Sequence, residues 1–371
     1  MEAPPNLMLP TSSTTAAEFR VSDESTAACG RSGLRALSGA GARESGVKIT
    51  VLSGGVGGSR FMEGLLRIKA PADEVTVIAN TADDIWLFGL RICPDLDTVM
   101  YTLGGGIDRE RGWGRTDESW NAKDELGAYG IKQAWFGLGD RDIATHLVRT
   151  MRLREGRTLS QVTAELCERW SPGVRLLPMS DDEVETHIGI TRDGHQELIH
   201  FQEYWIRLHA KLPVERVVLQ GIDDARPAPG VVEAITGADV IILPPSNPIV
   251  SIGPIAAVTA IRDALASTTA PVVGVSPIIG GGAVRGMADQ LLAGLGVEIS
   301  ASGVAAHHGA RRNGGLLDGW LIDTTDLAQA TTIDGLGIAT RVVPLWMTDD
   351  TATDQLAADT LELALAIRGR K

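Results

Sequence analysis

Residues 48–68 constrain the fold more than any other stretch of the chain. Lys48-Ile-Thr-Val-Leu52 is short, apolar and β-branched, the pattern of a strand buried on both faces. Ser53-Gly-Gly-Val-Gly-Gly-Ser59 follows without a break, and Phe61, Leu65 and Ile68 then share one helical face. Glu74-Val-Thr-Val-Ile-Ala79 is a second apolar strand. Strand, glycine-rich turn, helix and strand make a βαβ unit, so the sheet begins parallel.

The same pattern returns later. Strands are expected at 216–220, 239–243, 272–275 and 320–323, with helices over 254–267 and 284–293 and a closing helix near 352–368. With 43 glycines and only 4% aromatic residues, the chain suits glycine-rich ligand loops better than an all-β sandwich. The expected fold class is α/β, a doubly wound, Rossmann-like, mostly parallel sheet. Residues 47–120 and 215–371 form that nucleotide-binding domain. Residues 121–214 interrupt it, with helices near 140–169 and a short strand region at 186–201, and are read as an inserted, mainly helical subdomain.

Residues 1–46 are rich in Ser, Thr, Ala, Gly and Pro and have no apolar period. They lack the basic start and compact apolar core of a secretory signal. They read as a disordered tail or an upstream extension, with Val47 as a candidate original start. No apolar run approaches the length of a membrane span. Cys29, Cys93 and Cys167 are far apart with no CxxC, which indicates neither a zinc clamp nor a disulfide framework and points to a cytoplasmic setting.

The chain carries 34 Lys plus Arg against 47 Asp plus Glu, a net charge of −13. That field repels a phosphate backbone, so a nucleic-acid coat is excluded. A small phosphorylated ligand remains compatible, because backbone N–H groups or a metal can hold it. The Ser53–Gly58 loop is such a cradle: its glycines let the backbone approach a phosphate, and the following helix start adds partial positive charge. It is not the dinucleotide fingerprint, since Arg60 occupies the place of the third glycine and the second strand ends on Asn80 rather than an acid. Nor does Gly-Lys-Ser/Thr follow, so it is not a P-loop.

Five carboxylates then crowd into 26 residues: Asp83, Asp84, Asp95, Asp97 and Asp108. Acids beside a phosphate cradle suggest a hard divalent cation, because Mg²⁺ takes one or two carboxylates plus phosphate oxygens. The competing reading makes Asp97 a helix cap and the others solvated turns. Leu138-Gly-Asp-Arg-Asp142 offers Arg141 as a substrate clamp or a local ion pair, with Asp140 able to cap the next helix. The loops at Pro245-Ser-Asn-Pro248 and Ser276-Pro-Ile-Ile-Gly280 are stiff, polar and placed at strand ends. Trp86, Trp113, Trp120 and Trp135 are available to stack on a flat substrate, although each is also a core candidate. His307-His308 reads as a surface or loop pair.

Taken in order, Ser53-Gly-Gly-Val-Gly-Gly58, Asn80-Thr-Ala-Asp-Asp84, Pro94-Asp-Leu-Asp-Thr98, Leu138-Gly-Asp-Arg-Asp142, Leu177-Pro-Met-Ser-Asp-Asp182, Pro245-Ser-Asn-Pro248 and Ser276-Pro-Ile-Ile-Gly280 resemble the 2-phospho-L-lactate transferase family of coenzyme F420 biosynthesis, in its actinobacterial form. The resemblance runs from Lys48 to the C-terminal helix. It implies transfer of a phosphoenolpyruvyl or 2-phospholactyl group from a guanosine diphosphate ester to the deazaflavin alcohol Fo, with GMP leaving, Mg²⁺ as cofactor and a homodimer as the assembly. It implies roles for Asp97, Asp84 and Arg141 in catalysis, and for Asp97, Asp95 and Asp108 at the metal. Ser53, Gly54, Gly55, Gly57, Gly58, Pro245, Ser246, Asn247, Ser276, Ile278 and Gly280 fall to the nucleotide and its phosphates. Thr81, Asp83, Asp97, Trp135 and Asp140 fall to Fo, on the side of the insertion. The basic residue that often precedes the Leu-Gly-Asp-Arg-Asp stretch in this family is Gly137 here. Non-enzymatic regulators of the same superfamily, which bind nucleotide sugars, share the glycine-rich opening; the Pro-Asp-Leu-Asp and Leu-Gly-Asp-Arg-Asp pair favours the transferase.

Overall fold

A computed structural model describes residues 46–370, so the expectations for residues 1–45 lie outside the described residues. β1 (Lys48–Ser53) leads through α1 (Val56–Ile68) to β2 (Glu74–Ala79). A hairpin of β3 (Ile85–Leu87) and β4 (Leu90–Ile92) precedes α2 (Pro94–Leu103). Then come α3 (Asn121–Ala128), α4 (Asp140–Arg154), α5 (Leu159–Trp170), β5 (Arg175–Pro178), β6 (Glu185–Arg192), β7 (His195–His200) and β8 (Arg216–Gln220). The last half holds α6 (Val231–Thr236), β9 (Val240–Leu243), α7 (Gly253–Ala257), α8 (Thr259–Ser267), β10 (Val272–Val275), β11 (Ile278–Ile279), β12 (Gly282–Ala283) and α9 (Ala288–Gly294). It closes with α10 (Ala301–His308), β13 (Gly319–Ile322), α11 (Ala330–Leu336), β14 (Ala339–Val342) and α12 (Asp350–Arg368).

Seven strands form one sheet in the order β14-β13-β10-β9-β1-β2-β5, and every pair is parallel. Helices cover both faces, as the doubly wound reading expects. Val51, Val77 and Ile242 point to one face, where α1, α2, α5 and α12 supply Phe61, Met62, Val99, Val162 and Leu356. Leu52, Ile78 and Ile241 point to the other, where α6, α8 and α10 supply Ile235, Ile261 and Val304. The strands read as continuous apolar runs because both faces are buried.

Two expectations change. The strand at 216–220 is not part of the parallel sheet: β8 pairs antiparallel with β6 in a separate sheet of order β7-β6-β8. Its residues are only partly buried, so it lacks the two covered faces that a central parallel strand needs. The interruption has the expected helices and strand region, but it is less separate from the main sheet than expected. After α3, α4 and α5 it returns a strand, β5, to the edge of the main sheet beside β2, and then builds β6 and β7. Among the described residues, no single helix is long and apolar enough to cross a membrane.

The sheet also fixes where a ligand can sit. β1 is followed by a helix on one face and β9 by helices on the opposite face, so their loops diverge at a topological switch point. Open α/β sheets bind ligands in the crevice outside such strand ends.

His308 departs from its surface expectation. It ends α10, is buried, and meets the Trp320 ring edge-on at 5.9 Å between centroids. Burial, reinforced by His307, pushes its imidazole down to about 3. A base held neutral in the fold and titrating near 6.5 when unfolded gives stability that is complete above that value and is lost as pH falls toward 3. This group alone is expected to remove up to about 1.4 kcal/mol per pH unit between pH 6 and 4. Urea unfolding of His308→Leu at several pH values tests this; an unchanged acid slope would refute it.

Candidate active site

A cavity of about 900 Å³ opens at the switch point. One wall consists of strand-end loops: Gly54, Gly55 and Gly57 after β1, Asp83 after β2, Pro245–Asn247 after β9, and Ser276–Pro277 after β10. The start of α2 adds Asp95, Asp97 and Thr98. The lining also includes the aromatic side chains of Trp113, Phe136, Trp205 and Trp346.

The glycine loop folds as its composition requires. A Cβ on Gly57 would lie 2.2 Å from the Pro245 carbonyl oxygen, and one on Gly55 would lie 2.6 Å from Asp95 Oδ1. Only glycine lets the β1 loop touch both the β9 loop and α2. Ser246 ties the loops together, its Oγ accepting from Gly54 N–H at 3.3 Å. Gly55 N–H also donates to the Asp95 carboxylate.

Asn80 joins the carboxylates. Fully buried at the end of β2, its Nδ2 donates to Asp83 Oδ1 at 2.8 Å, Asp95 Oδ2 at 3.0 Å and the Val250 carbonyl at 3.1 Å. Asp83 and Asp95 are thus held around one amide, both facing the cavity. Burial pushes both carboxyls above the usual range, and repulsion from Asp95 pushes Asp83 further still. Neither has a cationic partner within ion-pair distance among the described residues.

The other acids are already matched. Asp97, buried in the first turn of α2, accepts two hydrogen bonds from the Arg149 guanidinium of α4, at Nη1 (3.0 Å) and Nη2. His146 Nδ1 lies 3.7 Å from the same carboxylate, and Arg149 Nη1 contacts that nitrogen at 3.2 Å. Tyr101 O–H donates to Asp142 Oδ1 at 2.6 Å. Asp84 is buried behind the wall, 3.5 Å from Arg91, and burial pushes it up to about 7 against that cation's pull. Arg149 and Arg91 escaped the sequence reading because each lies more than five residues from its carboxylate and neither sits in a motif.

Several expected site residues are therefore structural. Asp108 accepts from Glu110 and Arg111 N–H and pairs with Arg111 at 2.9 Å, which closes a turn, and Asp108 itself does not line the cavity. The expected metal group Asp95, Asp97 and Asp108 is not assembled, and among the described residues no three His, Cys, Asp or Glu are placed to hold a metal ion. Asp140 accepts from Ser119, Asn121 and Ala122, pinning the start of α3 to α4, and those bonds hold it down at about 2. Arg141 points to the Thr116 carbonyl and Asp117 instead of the cavity.

Thr81, Ser53, Gly58, Ile278 and Gly280 lie behind the lining; Gly280 N–H donates to Asp326. Trp135 packs on Phe136 in the small cluster with Ile85 and Leu138. Of the four tryptophans singled out by sequence, Trp113 lines the cavity. Trp205 lies in the helical turn Glu203–Arg207 and Trp346 in the loop before α12, and no spacing signalled them. Asn247 and Ser276 line the cavity but use their side chains on local turns, Asn247 Oδ1 accepting from Ile249 and Val250 and Ser276 Oγ bonding Ile278.

Removing one member of a buried ion pair strands the other charge. Asp97→Asn is expected to cost about 3–5 kcal/mol in urea unfolding, and the double replacement Asp97→Leu with Arg149→Met is expected to recover most of it. Equal losses in single and double variants would show that the pair does not act as a unit.

Residues 49–337 match the family described as 2-phospho-L-lactate transferase CofD. The chain is 58% identical over 322 residues to a phosphoenolpyruvate transferase of Kitasatospora aureofaciens, covering 87% of this chain and 99% of that protein. It is 55% identical over 328 residues to a phosphoenolpyruvate transferase of Mycolicibacterium smegmatis, covering 86% and 99%. A UPF0052-family protein from Bacillus halodurans shares the fold, with a TM-score of 0.58, 18% identity, and 85% and 99% of the two chains covered.

Proposed function

The chain belongs to the 2-phospho-L-lactate transferase CofD family and is a transferase, and on that footing we propose that it moves a phosphoenolpyruvyl group from a guanosine diphosphate ester to the alcohol of the deazaflavin Fo. The printed name of the relatives, phosphoenolpyruvate transferase, supports enolpyruvate over lactate as the acid unit. The observation that carries the reading is the pairing, in one switch-point cavity, of a glycine-rich loop with two buried carboxylates that have no cationic partner among the described residues.

The Fo hydroxyl oxygen attacks the phosphorus that bears the acid. The bond from that phosphorus to the oxygen bridging to GMP breaks, GMP leaves, and the hydroxyl proton is released. Such a transfer depends on alignment and charge neutralisation more than on covalent help from the protein. Gly54, Gly55 and Gly57 bind the diphosphate. Asp97, locked by Arg149, accepts a hydrogen bond from the acceptor hydroxyl and orients it. Trp113, Phe136 and Trp205 flank the flat ring system.

The donor set fits Mg²⁺, which takes one or two carboxylates and leaves its remaining positions to phosphate oxygens and water. Asp83 and Asp95 would hold it, in place of the trio expected from sequence. Bound there, it would neutralise charge on the diphosphate.

The full chain incubated with Fo, the enolpyruvyl donor and Mg²⁺ should yield GMP and a product with the mass of Fo plus the phosphoenolpyruvyl unit. Asp95→Asn should fold yet lose about a hundredfold or more in turnover. Absence of GMP with the intact chain would overturn the reading, and an unimpaired Asp95→Asn would remove Asp95 from the site.

A further inference from the structure

Three arginines line the cavity: Arg60, Arg111 and Arg285. Arg111 is already engaged, paired with Asp108 at 2.9 Å and stacked over the Trp113 and Trp120 rings at 5.5 and 5.2 Å. Arg60 lies in α1, about one turn beyond the glycine loop, so its charge falls beside the phosphate cradle. Among the described residues its side chain hydrogen-bonds to the Thr348 carbonyl alone, at 3.5 Å.

Arg285 differs from both. It follows the β11–β12 hairpin and crosses to the loop at the other side of the cavity, where Nη2 donates to the Arg111 carbonyl at 2.7 Å. Gly112 makes room for it: a Cβ there would lie 2.7 Å from the guanidinium, and the backbone sits at φ +74°. No carboxylate lies within ion-pair distance of Arg285 among the described residues. A guanidinium facing a cavity and held only by one neutral carbonyl keeps most of its five donors free, and its fork matches a carboxylate bidentately.

We propose that Arg285 recognises the carboxylate of the acid unit carried by the donor, and so selects anionic acid esters over other guanosine diphosphate esters. The inference rests on the transferase reading above. A donor of that class brings a diphosphate and a carboxylate. The glycine loop, Arg60 and the Asp83–Asp95 pair attend to the diphosphate. The carboxylate needs a separate cation, and Arg285 is the arginine on the wall that has no such task. Its position on the hairpin, bridging to the Arg111 loop, also lets the contact draw the two loops together over the acid unit.

The test compares binding of three probes to the full chain by calorimetry: GDP, the guanosine diphosphate ester of lactate, and the carboxamide analogue of that ester, which lacks the acid charge. Arg285→Gln should weaken the lactate ester by about ten- to a hundredfold, leave GDP within about twofold, and bind the carboxamide as the unaltered chain does. Arg285→Lys should recover only part of the loss, since an ammonium cannot make the bidentate contact. Equal weakening of all three probes would assign Arg285 to the diphosphate and overturn the proposal, as would no weakening at all. Failure of the unaltered chain to bind either the lactate ester or its enolpyruvate counterpart would instead bring down the donor assigned under the proposed function, and this proposal with it.

Discussion

One buried amide organises the site. Asn80 Nδ2 shares its hydrogens among Asp83, Asp95 and the Val250 carbonyl, while Asn80 Oδ1 accepts from Ala82 N–H at 3.0 Å. Those contacts tie the end of β2, the start of α2 and the turn after β9 to one point beside the glycine loop. A carboxylate at this position would add a third negative charge, and an apolar residue would leave buried acids without a donor. The amide can serve because it is neutral and carries both donors and an acceptor.

Around that point the acidic excess separates into matched and unmatched groups. Arg149 matches Asp97 from within the fold, while Arg91 lies 3.5 Å from Asp84 and only partly offsets its burial. Asp83 and Asp95 have only the amide and one backbone N–H, so burial works against their charge. Among the described residues the cavity lining thus holds two acids without a cation, Asp83 and Asp95, and two arginines without an acid, Arg60 and Arg285. Charges left uncompensated in this way collect where a protein binds or reacts.

Local sequence signals were strong where local physics decides. β1, β2, β9, β10 and β13 are apolar on both faces, so their runs are visible without any neighbour. The glycine loop is visible because close approach excludes side chains. The same local logic misassigned β8, whose Arg-Val-Val-Leu-Gln reads like a buried strand although no second layer covers it. It also drew Asp108, Asp140 and Arg141 into the site. Each is a polar residue near a motif, and each spends its polar atoms on turns and caps within its own neighbourhood.

The sequence by itself determined the parallel core, the close-packed glycine loop and the stretch holding the acids, because periodicity and glycine content express burial and backbone freedom directly. The tertiary structure decided which acids face the cavity without a counter-charge. Asp95 and Asp97 are two residues apart on one helix, yet one meets Asn80 and the glycine loop while the other meets Arg149, 52 residues further along the chain. The function of a carboxylate depends on its counter-charge, and that partner is supplied by packing between elements, which no local pattern records.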